Sequence, residues 1–210
     1  MKKTPPPIDP SRAQGLVEAG RFFHARGWVP ATAGNLSFRL TPGVAVVTTS
    51  GRHKGELRPG DFMRVDLDGK SFDPGKKSSA ETLLHCQLYR RFPSAGAVFH
   101  THSPASTLLS LGCDNLQLAG YELLKIFERI NTHETQVEIP VFSNDQDIAR
   151  LATVVEAHMA TGGGQHGYLI RGHGLYAWGA NITEARHRVE ALEFLFECEV
   201  LSSRQRLRPG

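Results

Sequence analysis

Ten of the 210 residues are histidine, while cysteine numbers three and forms no Cys-x-x-Cys pair, so a transition metal bound here would draw its ligands from imidazole. Two of the ten stand at His100-Thr101-His102. Residues two apart on a strand point to the same side, as two ligands of one ion must. The same spacing also occurs where one imidazole packs in a core and the other is exposed. The pair closes a strand predicted over 97–102, and Ser103-Pro104 turns the chain away into a helix, at the kind of strand end where sites open in α/β proteins. A catalytic zinc takes three protein ligands and keeps one position for water or substrate. His173, in Arg171-Gly172-His173-Gly174, is the candidate third ligand, because flanking glycines allow a tight turn and leave room beside the ring. An exposed turn histidine is the alternative. His85, His158 and His187 fall in predicted helices as packed or surface residues, whereas His53 and His133 sit in polar loops.

Two carboxylates are candidates for acid/base work beside such a metal. Glu81 follows Ser78-Ser79 at a predicted helix start, where capping support is the structural alternative. Glu122 lies in the otherwise apolar Tyr121-Glu122-Leu123-Leu124, with Lys125 as a possible i,i+3 partner on a solvated face. Three segments offer backbone N–H groups and small hydroxyls to an anion: Gly34-Asn35 with Ser37, Thr49-Ser50-Gly51 with Arg52-His53-Lys54 behind it, and Ser78-Ser79 after Lys76-Lys77. The third has the added attraction of a helix N-terminus.

Positioning these groups requires a scaffold of alternating elements. The first ten residues are proline-rich and read as a flexible arm, followed by one domain over 11–210 whose first helix is capped by Ser11 and ends at Gly27. Strands over 36–40 and 44–48 flank Thr41-Pro42-Gly43 as a hairpin, with a third strand over 62–67. Helices are expected over 79–91 with Ser79 as cap, 104–111, 121–127, 146–160 behind Asn144-Asp145, and 181–206. Further strands are expected over 168–170 and 174–178. Helices at both ends and between strands, with strands also joined directly, indicate an α/β fold with helices covering a mixed sheet.

Composition narrows the partners. Apolar residues make up 40%, no apolar run approaches the roughly 18 needed to cross a bilayer, and Thr4-Pro5-Pro6-Pro7 stands where a secretory signal needs an apolar stretch. A membrane partner and secretion are therefore not expected. The formal charge of +3 is too small to suggest nucleic acid, and the basic tail Arg204, Arg206 and Arg208 reads as a solvated helix end. Scattered cysteine fits a reducing cytoplasm.

Taken in order, Gly34-Asn35-Leu36-Ser37, Thr49-Ser50-Gly51, Ser79-Ala80-Glu81, His100-Thr101-His102 and Gly172-His173-Gly174 resemble the motifs of the class II aldolase/adducin superfamily. The resemblance implies a single-domain α/β/α sandwich with a mostly antiparallel sheet, a homotetramer with active sites between subunits, and one zinc ion per subunit held by His100, His102 and His173. It places a sugar phosphate on Gly34, Asn35, Ser50, Gly51, Ser78 and Ser79. Within the superfamily, Ser50-Gly51-Arg52-His53-Lys54-Gly55, the segment 121–125, Thr132-His133-Glu134 and the segment 141–148 resemble a dehydratase branch acting on a methylthio ketose phosphate in methionine salvage. In that branch the glutamate matching Glu122 is the acid/base, whereas the aldolases use the one matching Glu81. This chain carries both. A sugar-phosphate aldolase or 4-epimerase and a metal-free adducin-like binding module are the competing expectations.

Overall fold

β1 (Asn35–Thr41) and β2 (Val44–Thr48) form the expected hairpin in the computed structural model, which describes residues 5–206, and β3 (Phe62–Asp66) adds to β2. Along the chain follow β4 (Ala97–Thr101), β5 (Asn115–Ala119), β6 (Gln136–Phe142), β7 (Tyr168–Ile170) and β8 (Gly174–Gly179). The eight strands lie in the order β3-β2-β1-β4-β8-β7-β6-β5, every pairing antiparallel except β6 with β7.

Helices cover both faces, so the central strands alternate between two apolar layers rather than between core and water. Leu36, Phe38, Phe99, Leu175 and Ala177 face α1 (Pro10–Ala25) and α5 (Ile182–Arg206). Val47, Val65, Val98, Tyr176 and Trp178 face α2 (Thr82–Arg91) and α4 (Ile148–Ala160). A shorter helix, α3 (Pro104–Gly112), leaves the end of β4 and packs on α5. The register sets His100 opposite Asn35 on β1 and Tyr176 on β8, with Tyr168 next on β7, so one row of polar and aromatic side chains crosses four strands on the α2/α4 face.

Several helix starts differ from expectation. Asp9, whose carboxylate accepts from the Ser11 amide at 2.9 Å, caps α1, because Pro10 already occupies its first turn. α2 begins at Thr82 instead of 79: Ser78 is held in an antiparallel bridge to Thr49, a turn follows it, and Glu81 occupies the N-cap without making a capping bond. Asp147 caps α4 through the Arg150 amide, two residues after the expected Asn144-Asp145. Residues 121–127 form a 3-10 helix, Glu122–Ile126. The unanticipated β5 and β6 form a strand pair at the sheet edge, with Pro140 interrupting the strand signal of β6. Of the arm expected over 1–10, residues 1–4 lie outside the described residues; the carbonyls of Pro5 and Pro6 accept from Arg64, and Ile8 packs on the core. The side chains of Arg204 and Arg206, and Arg208 altogether, also lie outside the described residues. Among the described residues no helix is long and apolar enough to cross a membrane.

Candidate metal centre

β4 and the residue that follows it deliver His100 and His102 to the same face, their ring centroids 4.5 Å apart. The turn between β7 and β8 brings in His173, 4.5 Å from the His102 ring and 4.9 Å from that of His100. Both flanking glycines are required there: Gly172 has φ +61°, and a side chain on Gly174 would begin 1.9 Å from the Thr101 carbonyl oxygen. From the N-cap of α2, Glu81 places Oε1 3.0 Å from His173 Nε2 and Oε2 3.5 Å from His100 Nε2. The ligand atoms of these four residues all lie within 4.8 Å of one another.

The protonation states suit a cation. His100 Nδ1 lies 2.8 Å from the Leu175 carbonyl oxygen, which can only accept, so Nδ1 carries the proton and the Nε2 lone pair faces the cluster. Burial, partly opposed by Glu81, pushes His100 down to about 4; burial, with His100 and His173 adding to it, pushes His102 down to about 3. Both are neutral near pH 7. Burial alone would raise Glu81, yet His100, His173 and His102 together hold its carboxyl well below the usual range. Asn35 Nδ2 anchors that carboxylate at 2.7 Å. Among the described residues His102 Nε2 and His173 Nδ1 are buried without a hydrogen-bond partner, and His100 Nε2 and His173 Nε2 stand 3.3 Å apart. Converging imidazole nitrogens and one carboxylate fit a divalent transition-metal ion.

His102, His173 and Glu81 open onto a cavity of about 460 Å³, with His100 fully buried beneath. Of the six residues expected to bind phosphate, Gly34, Asn35, Ser50, Gly51 and Ser79 line this cavity; Ser78 is taken up by its bridge to Thr49 and does not. Asn144 and Gln146, from the segment 141–148, line it too. Lys54, which stands behind the second anion-binding segment in the sequence, lines it as well. It is buried, its ammonium donates to the carbonyls of Thr32 at 2.5 Å and Arg52 at 2.7 Å, and burial pushes it down to about 8 against the pull of Glu81. Nothing in a polar turn marks one lysine of several for burial.

Glu122 stands apart. Its side chain is 72% exposed, pairs with Lys125 at 2.5 Å and His133 at 3.7 Å, and does not line the cavity of its own chain.

The profile of the family described as Class II Aldolase and Adducin N-terminal domain matches residues 14–200. The chain belongs to this family. Among curated class II aldolase relatives, proteins named methylthioribulose-1-phosphate dehydratase are 56% identical in Methylococcus capsulatus, over 90% of this chain and 93% of that protein, and 54% identical in Pseudomonas aeruginosa, over 89% and 92%. Among solved structures, the L-fuculose-1-phosphate aldolase from Thermus thermophilus superposes with a TM-score of 0.78 at 25% identity, covering 96% of this chain and all of that one. A sugar-phosphate aldolase from Thermotoga maritima shares the fold with a TM-score of 0.68 at 18% identity, covering 95% and 97%. The expected class II aldolase architecture, one α/β domain built on a mostly antiparallel sheet, is thus the architecture observed.

Proposed function

We propose that this chain dehydrates 5-methylthioribulose 1-phosphate to 5-methylthio-2,3-dioxopentyl phosphate and water, a hydro-lyase step of methionine salvage, with one zinc ion per subunit held by His100, His102 and His173. The observation that carries this reading is 53–56% identity, over about nine tenths of both chains, to proteins that bear that dehydratase name. The lone pairs converging at the end of β4 support the metal. When bound, a divalent ion in this donor set polarises a carbonyl oxygen and steadies negative charge developing beside it.

The chain's own residues divide the remaining work. Three neutral imidazoles would hold the ion without adding negative charge, and Glu81, held ionised and anchored by Asn35, lies beside them. Backbone N–H groups and hydroxyls of Gly34, Asn35, Ser50, Gly51 and Ser79 receive the phosphate, with Lys54 as the nearby cation; all six residues line one cavity. Glu122 takes the C3 proton and delivers it to the C4 hydroxyl, which departs as water. The C3–C4 enol left behind then relaxes to the 2,3-diketone as the C3 hydroxyl loses its proton and C4 gains one. Because Glu122 is exposed and outside its own chain's cavity, it serves the cavity of a neighbouring copy in a homotetramer. The three free thiols suit a cytoplasmic setting.

One observation favours a second reading, a sugar-phosphate aldolase or 4-epimerase: Glu81, not Glu122, lies at the cluster. An adducin-like metal-free module would have no use for the converging ligand atoms. Glu122→Gln and Glu81→Gln, compared for metal content and dehydration rate, separate the roles. The expected result is full metal and a rate about 10²- to 10⁴-fold lower for Glu122→Gln. Full dehydratase activity in that variant would move the acid/base role elsewhere.

A further inference from the structure

Behind the sheet, on the side opposite the histidine rings, a carboxylate is buried at Glu193 of α5 with 0% exposure. Among the described residues its partners are hydroxyls and no cation. Thr101 Oγ1 donates to one carboxylate oxygen at 2.7 Å, and Ser103 Oγ donates to the other through a short hydrogen bond. Taking a carboxylate out of water costs free energy that two neutral donors return only in part. Neighbouring core positions of α5 are filled by Val189, Leu192 and Phe196, which incur no such cost.

What the carboxylate accomplishes is geometric. Thr101 and Ser103 are the two chain neighbours of His102, so one group on α5 holds the side chains on both sides of a candidate ligand. Ser103 Oγ also accepts from the Ser106 amide at 3.0 Å, joining the grip to the start of α3. The His102 amide is held at 2.7 Å by the Trp28 carbonyl. Gly174 packs its backbone directly on the Thr101 carbonyl, tying the turn that carries His173 to the same point. The end of β4 is thus held by the two Glu193 bonds, the Trp28 carbonyl and the packing of Gly174.

We propose that Glu193 is a positioning residue for the metal centre, clamping Thr101 and Ser103 so that His102 meets the ion together with His100 and His173. The proposal rests on the metal-centre reading given above. Glutamine at 193 has one acceptor oxygen where the carboxylate has two, so one hydroxyl loses its acceptor; Thr101→Val removes one donor at nearly constant shape.

The test measures the dissociation constants of zinc and cobalt(II) by chelator competition for the full chain, with the cobalt visible spectrum and the melting temperature of the metal-free protein alongside. Glu193→Gln and Thr101→Val are each expected to raise the dissociation constant about 10- to 100-fold and to shift the cobalt bands. Thr101→Ser should restore both, and the double variant should lose no more than the weaker-binding single variant. Variants that melt earlier yet keep the parental dissociation constants and cobalt spectrum would overturn the proposal, leaving Glu193 a fold-stabilising residue only. Should Glu193→Gln fail to fold, Thr101→Val decides alone. A parent chain that binds neither ion would refute the metal-centre reading itself, an outcome visible before any variant is made.

Discussion

His100 shows how one side chain is prepared for its task. The Leu175 carbonyl fixes its proton on Nδ1, burial keeps the ring neutral, and Tyr176 stacks on it at 4.0 Å between centroids, so only Nε2 is left to the cluster. Alanine at His100, His102 or His173 should each abolish stoichiometric metal, read by plasma emission after dialysis; a variant retaining one ion per chain is not missing a ligand. At Lys54, methionine keeps the stem and removes a charged donor, a loss of about 1.5–3 kcal/mol where such a bond is made to an anion. Lys54→Met should therefore raise KM at least about tenfold with metal content intact, and an unchanged KM would detach Lys54 from phosphate binding. At this scale the sequence was informative where periodicity speaks and silent where burial decides. The two-residue spacing of His100 and His102 exposed the pair, and the glycines pointed to His173. Lys54 and Glu193 carry charge in a turn and a helix, where charge ordinarily means solvent, and only packing shows them buried.

α2 is docked on β1 by a polar contact inside an apolar layer. Ser37 Oγ meets His85 Nδ1 at 2.7 Å and Tyr89 Oη at 2.8 Å, all three side chains fully or almost fully buried. Burial pushes His85 down to about 3, with Glu81 pulling the other way, while an unfolded histidine titrates near 6.5. Between these values the unfolded chain holds a proton that the native chain lacks, so stability rises with pH through this window and is lost on acidification below about 6.5. One such group contributes a slope of up to about 1.4 kcal/mol per pH unit. Urea midpoints of the metal-free protein between pH 7 and pH 4 should fall less steeply for His85→Gln than for the parent. Parallel slopes would mean that His85 is not kept neutral by the fold. His100 and His102 are depressed in the same direction and contribute to the slope that remains. Element types were legible for the hairpin, α3, α5 and the strand pair around His173, since apolar spacing and turn residues agree there. The start of α2 was misplaced because the Thr49–Ser78 bridge precedes it, and those of α1 and α4 because a neighbouring aspartate, Asp9 or Asp147, supplies the cap. The edge pair β5 and β6 escaped notice because Asn115–Ala119 is largely exposed and Pro140 interrupts its partner.

For the molecule as a whole, the α/β class was readable from helices alternating with directly joined strands, and five short motifs in order carried the family. What no single chain's sequence could place was Glu122, whose surroundings within its own chain are Lys125, His133 and solvent. If neighbouring copies complete each other's sites, His100→Ala and Glu122→Gln are inactive for different reasons and should complement. Mixing the two after mild dissociation and reassociation is expected to recover a fraction of the parental rate, and mixtures that stay inactive would argue that Glu122 does not act across copies. The central claim, that a metal centre at the end of β4 removes water from a methylthio ketose phosphate, is tested most directly by incubating the zinc-loaded protein with 5-methylthioribulose 1-phosphate and following product mass. A single product lighter by one water is the predicted result; two smaller carbonyl fragments, or unchanged substrate, would contradict it.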